Sequence, residues 1–230
     1  MNLQTPSSLA TARLPWAAWP WLVALTWLSG ACHAGTVQVA VTGQDGKPAA
    51  NVVVQVMSGV SRPAAAGATP LVIEQRDLQF SPYLSVARTG TTVRFTNRDP
   101  YDHHVRSTPG GPLGSIAPAK SFELRLSAME GGKAKSADVL LDKPGIIGLG
   151  CHLHGSMRGH LFVTDTPYFG KTDATGVATV DNVPDGPADL RLWHPEQLTD
   201  QAAQPVQVVA TAPVKATAQL NFSPKPRRGG

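Results

Sequence analysis

Cysteine is almost missing from this chain: 230 residues hold only Cys32 and Cys151. A disulfide scaffold is thereby excluded. Charge is sparse too, at 16% Asp, Glu, Lys and Arg, and the net value of +4 is mild. No basic stripe is present to hold nucleic acid. The one tight basic run, Lys225-Pro226-Arg227-Arg228, reads as part of a solvated tail over 223–230. Long apolar runs are lacking as well. The longest, from Pro15 to Leu28, has about 14 residues against the roughly 20 that span a bilayer, which argues against stable membrane insertion. Nor does any window carry a sustained 3.6-residue apolar stripe of helix length. With aromatics at 6%, 22 Gly and 20 Pro, the chain reads as turn-rich and all-β.

The apolar run has a different use. Arg13 precedes it, and Ser29-Gly30-Ala31-Cys32-His33-Ala34 follows with small residues around a cleavage point before Gly35. That layout is the one expected of a secretory signal over 1–34, and the remaining chain is expected in the periplasm. Lipidation at Cys32 is disfavoured because Ser29, not an aliphatic residue, stands three positions before it. Removal of the signal takes Cys32 away and leaves Cys151 without a partner. A lone exported thiol is either buried and inert or held by a metal.

The strands fall into three blocks. In residues 35–60, Thr36-Val37-Gln38-Val39-Ala40-Val41 alternates, Asp45-Gly46 signals a turn, and a β-branched strand follows over 51–56. Residues 61–69 lack periodicity and read as a connection. The second block, 70–165, contains strands expected at 71–75, 84–86, 91–95, 103–107, 121–126, 138–141, 145–150 and 160–163, with 129–137 expected to be flexible. The third block, 166–222, resumes the character of the first, with strands expected at 177–180, 188–193, 206–210 and 215–222. Two strands are too few to bury a core of their own. The first block is therefore expected to join the third in one sandwich interrupted by the second, tandem independent units being the alternative. Trp193 and Tyr168 are expected to pack that outer sandwich, His160 to be structural or superficial, and His194 to be a surface residue at a strand end, a second metal contact being the alternative.

The chemistry concentrates in Gly150-Cys151-His152-Leu153-His154-Gly155-Ser156-Met157. A thiol, an imidazole and a thioether stand at a Cys-x-x-His-x-x-Met spacing on one short loop. Thiolate, imidazoles and a weak thioether are the set that suits copper in both oxidation states, whereas one thiolate with a thioether suits zinc poorly. The remaining nitrogen is expected from His103-His104. Adjacent strand residues face opposite ways, so one of these two faces the site. By the same reasoning His152 points away from it. A copper enzyme with a further cluster needs many more histidines, commonly in His-x-His pairs. His152-Leu153-His154 is the sole such pair and already includes a candidate ligand. An electron carrier is thus expected rather than an enzyme, with copper binding and delivery as the alternative.

Phe80-Ser81-Pro82-Tyr83-Leu84-Ser85-Val86, Gly90, Val93-Arg94-Phe95-Thr96-Asn97-Arg98-Asp99 and His103-His104-Val105 resemble the first half of a cupredoxin, a small blue copper protein. Cys151, His154, Met157, Arg158 and Gly159, followed by a strand, resemble especially the short ligand loop of amicyanin, within the amicyanin and plastocyanin-like group. The resemblance implies a Greek-key fold over 70–165 and one copper ion. It carries over His103, Cys151 and His154 as equatorial ligands and Met157 as the axial one. It further implies single-electron transfer with transient partners such as a c-type cytochrome or a periplasmic dehydrogenase. Over a longer span, Asp165-Thr166-Pro167-Tyr168-Phe169-Gly170-Lys171-Thr172-Asp173 and Leu192-Trp193-His194-Pro195 are similar to exported plastocyanin-like proteins of methylamine utilisation. Gly46-Lys47-Pro48 and Thr172-Asp173-x-x-Gly176 resemble the transthyretin-like, carboxypeptidase-regulatory sandwich. The chain departs from the amicyanin pattern at His104, where Asn is usual, and at Gly155-Ser156, where a Pro-containing pair is usual.

Overall fold

The computed structural model describes Met1 and residues 34–59 and 70–225. The expected signal over 1–34 lies outside the described residues but for its two ends, and so do the connection over 61–69 and residues 226–230 of the basic tail. The described residues are all-β. No helix among them is long and apolar enough to cross a membrane.

In chain order the strands are β1 (Ala34–Thr42), β2 (Val53–Ser58), β3 (Leu71–Arg76), β4 (Gln79–Ser81), β5 (Leu84–Arg88), β6 (Thr92–Asn97), β7 (His103–Thr108) and β8 (Glu123–Leu126). They continue as β9 (Lys135–Leu140), β10 (Gly145–Cys151), β11 (Arg158–Thr164), β12 (Phe169–Lys171), β13 (Val177–Pro184), β14 (Gly186–Trp193), β15 (Gln204–Val208) and β16 (Val214–Gln219). These form two sandwiches of two sheets each. One stacks the sheet β5-β11-β10-β7-β8 on β4-β3-β6-β9, and the other stacks β13-β1-β16 on β12-β2-β14-β15.

The second sandwich is built from both ends of the chain. β1 runs antiparallel to β13 and parallel to β16, while β2 lies between β12 and β14. Alternation does the work here: Val37, Val39 and Val41 of β1 all point inward and meet Val54, Val56, Val180, Leu190 and Leu192. Each such side chain taken fully out of water contributes about 1.5–3 kcal/mol, which two strands alone could not collect.

The first sandwich holds Ile73, Phe95, Val105, Ile147, Leu149 and Leu161, together with Cys151 and Met157, in one core. β10 sits centrally between β7 and β11 and is buried from Ile147 to Cys151. Gly148 permits this, because a Cβ there would run into Thr108 on β7. Trp193 was expected in the outer sandwich but lies in the seam between the two. Its ring packs 5.0 Å from that of Phe162, beside buried Val53 and Leu84. Lys171 crosses the same seam and donates from Nζ to the Leu84 carbonyl at 2.8 Å.

Three local features differ from expectation. β4 and β12 have three residues each, too few to show alternation in a sequence. β9 begins at Lys135, inside the stretch expected to be flexible. As the edge strand of its sheet it leaves Lys135, Ser136, Asp138 and Leu140 exposed, which conceals its period. His194 is buried rather than superficial; its Nδ1 accepts the Glu196 N–H at 3.1 Å, and the Gln197 side chain accepts the His194 N–H at 3.0 Å.

Candidate metal centre

The four candidate ligands come from two neighbouring strands and the turn after one of them. His103 opens β7 with its side chain inward, and Cys151 closes β10 opposite Val105. Beyond Cys151 the chain turns, and the Met157 N–H donates to the His154 carbonyl at 3.0 Å. That bond closes a four-residue turn with Gly155 and Ser156 at its centre, returning the chain into β11. His104 and His152 point to the other face of the sheet, as alternation requires.

His103 Nδ1, Cys151 Sγ and His154 Nδ1 converge. The two nitrogens are 3.2 Å apart, and the sulfur lies 3.6 Å from His103 and 3.5 Å from His154. An ion about 2.0 Å from each nitrogen and about 2.3 Å from the sulfur spaces these donors by roughly 3.3–3.7 Å, between tetrahedral and trigonal limits. The observed triangle fits. Cys151 is the free cysteine of the described residues and is buried, as are His103 and Met157; His154 is half-buried. Met157 shares the core with Cys151, so the thioether is kept from water.

Asp99 is a participant that residue spacing did not single out. Its Oδ2 lies 2.8 Å from His103 Nε2, with both groups buried. The same carboxylate accepts the Asp77 N–H at 2.7 Å and the Leu78 N–H at 3.3 Å. Those amides are aimed by left-handed backbone at both residues, with φ of 52° and 59°. An ionised carboxylate only accepts hydrogen bonds, so the partner of Asp99 is the tautomer of His103 with its proton on Nε2. Nδ1 is left with a lone pair directed at the other ligands. Asn97 holds the intervening loop: its Oδ1 accepts the Asp99 N–H at 2.8 Å, and its Nδ2 faces the carbonyls of Tyr101 and Ser127. The available signal was a carboxylate four residues before a candidate ligand histidine.

Tyr101 is the second unforeseen neighbour. Its ring sits 5.6 Å from that of His103 and 5.5 Å from that of His154, over the mouth of the site. Partial desolvation, and then the charges of Asp99 and Asp77, push its phenol above the ordinary value, so it stays neutral. Leu153, next to the half-buried His154 in the chain, is exposed.

Fold and donors together give a β-sandwich protein in which three buried or half-buried donor atoms are able to hold a single metal ion. The donor chemistry, two imidazoles and a thiolate with a thioether in the same core, is that of copper. No protein-family model matches the chain, and no curated protein does. Among solved structures, the chain is similar to a copper-containing nitrite reductase from Thermus scotoductus SA-01, at 22% identity and a TM-score of 0.35, over 45% of this chain and 25% of that one. The chain thus spans about a quarter of the length of that reductase. It is also similar to an amicyanin variant in its Cu(I) form, at 24% identity and a TM-score of 0.30, over 48% of this chain and 98% of the other. An oxidised amicyanin variant matches at 23% identity and a TM-score of 0.32, with the same coverage.

Proposed function

We propose that this protein is a cupredoxin-type electron carrier, in which His103, Cys151, His154 and Met157 hold one copper ion in the periplasm. The observation that carries the reading is the triangle of ligand atoms 3.2–3.6 Å apart, with two corners buried and the third half-buried. Copper bound there supplies a single exchangeable electron. The residues supply rigidity. Asp99 and the β3–β4 turn lock His103, the β7–β10 ladder locks Cys151, and the 154–157 turn holds His154 and Met157 together. Ligands that move little between oxidation states keep the reorganisation cost of electron transfer low. Tyr101 against His154 and the exposed Leu153 next to it in the chain offer apolar surface, which suits brief contact with a partner such as a c-type cytochrome or a periplasmic dehydrogenase.

Stopped-flow mixing of the copper-loaded protein with a c-type cytochrome tests the function. Rapid, reversible exchange over repeated cycles with copper retained is expected. Copper lost at each reduction would instead identify a copper-delivery protein.

A further inference from the structure

The sheet that carries the ligands presents a second pair of imidazoles on its opposite face. His104 and His152 each follow a ligand in the chain, and alternation turns them outward together. They are direct neighbours across the β7–β10 ladder: Cys151 pairs with Val105, and the His152 N–H donates to the His104 carbonyl at 2.9 Å. Their ring centroids are 5.5 Å apart. A carboxylate completes the group. Glu123 of β8 lies on the same face, with Oε2 3.4 Å from His104 Nε2 and its side chain 66% exposed and free to swing. The donor atoms of His104, His152 and Glu123 do not yet lie within 4.8 Å of one another, so the exposed His152 and Glu123 turn toward His104 to share an ion.

We propose that His104, His152 and Glu123 form a second metal site, on the outer face of the sheet, for a divalent late first-row cation, Cu(II) foremost. Its donors are two nitrogens and a carboxylate oxygen with no sulfur, a set for Cu(II) and Zn(II) rather than Cu(I). Positive charge surrounds it. Arg125 pairs with His104, Arg106 pairs with Glu123, and Arg158 pairs with Gly150 in the adjacent row. That repulsion weakens every divalent cation alike, so the choice of ion rests on the donors, and Cu(II) stands at the top of the divalent series for imidazole. The site does not depend on how the Cys151 centre is read, because it shares no ligand with it.

The test is a Cu(II) titration, followed by metal analysis and electron paramagnetic resonance, of the tag-free protein purified from an exporting host. Wild type is expected to bind a second equivalent with a nitrogen-ligand signal that lacks thiolate character. The double variant Cys151→Ser/His154→Ala, which removes the thiolate and one imidazole of the first site, should lose the first ion and keep the second, which separates failure at one site from failure at the other. His152→Asn should lose the second ion while the thiolate-to-copper band survives. Glu123→Gln, a change on an exposed side chain, should weaken the second ion by about tenfold and keep the test decisive if the histidine variant misfolds. Absence of any Cu(II) uptake by Cys151→Ser/His154→Ala would overturn the proposal. So would a second ion whose affinity is unchanged in both His152→Asn and Glu123→Gln.

Discussion

Asp99 decides how His103 presents itself. Replacing it with Asn keeps the volume but puts an N–H where two backbone amides and an imidazole donate. Asp99→Asn is expected to cost about 1–3 kcal/mol in urea unfolding of the metal-free protein. It should also weaken metal binding by about 10–100-fold, as loss of a ligand-orienting carboxylate does. A stability and affinity equal to wild type would show that the carboxylate is incidental. His194 makes a separate prediction. Burial, acting against the Glu196 carboxylate and the Ala50 backbone, lowers its pKa from the ordinary 6.5. The unfolded chain then binds the proton more readily. Stability is therefore full above the ordinary value and declines as pH falls through it. The loss in unfolding free energy between about pH 7.5 and about pH 5.5 should shrink in His194→Gln. The ligand histidines were legible because their residue types and spacing carry the chemistry directly. Burial of His194 was not, since its partners come from a local turn and from Ala50, far away in the chain.

Among the elements, the turn from His154 to Met157 sets how firmly two ligands are held. Gly155 needs no left-handed backbone, and nothing lies within 4 Å of where its Cβ would stand. Gly155→Ala should therefore raise stability by about 0.4–1 kcal/mol, read as a higher urea midpoint at unchanged slope, because it restricts only the unfolded chain. A lower midpoint would mean that the turn depends on glycine. Strands with one wet and one dry face, such as β1, showed their period openly in the residues. β4 and β12 were too short to do so, and the exposed edge strand β9 kept its polar residues along most of its length. The all-β character of the chain was legible all the same, because it rests on many strands and turns rather than on any one.

For the whole molecule, the seam between the sandwiches is the feature no local pattern announced. Trp193 ends an alternating strand and looks like ordinary core, yet its ring rests on Phe162 of the other sandwich. Trp193→Ala should cost about 3–5 kcal/mol and split one calorimetric transition into two, as each sandwich unfolds on its own core. A single transition shifted as a whole would mean that the seam is not what couples them. Above that scale stands the claim on which the rest depends, that Cys151 is a copper thiolate rather than an inert buried thiol. The visible spectrum of the copper-loaded protein tests it most directly. An intense thiolate-to-copper charge-transfer band is expected in the wild type and should be abolished by Cys151→Ser. A colourless protein that binds zinc tightly in place of copper would contradict the account.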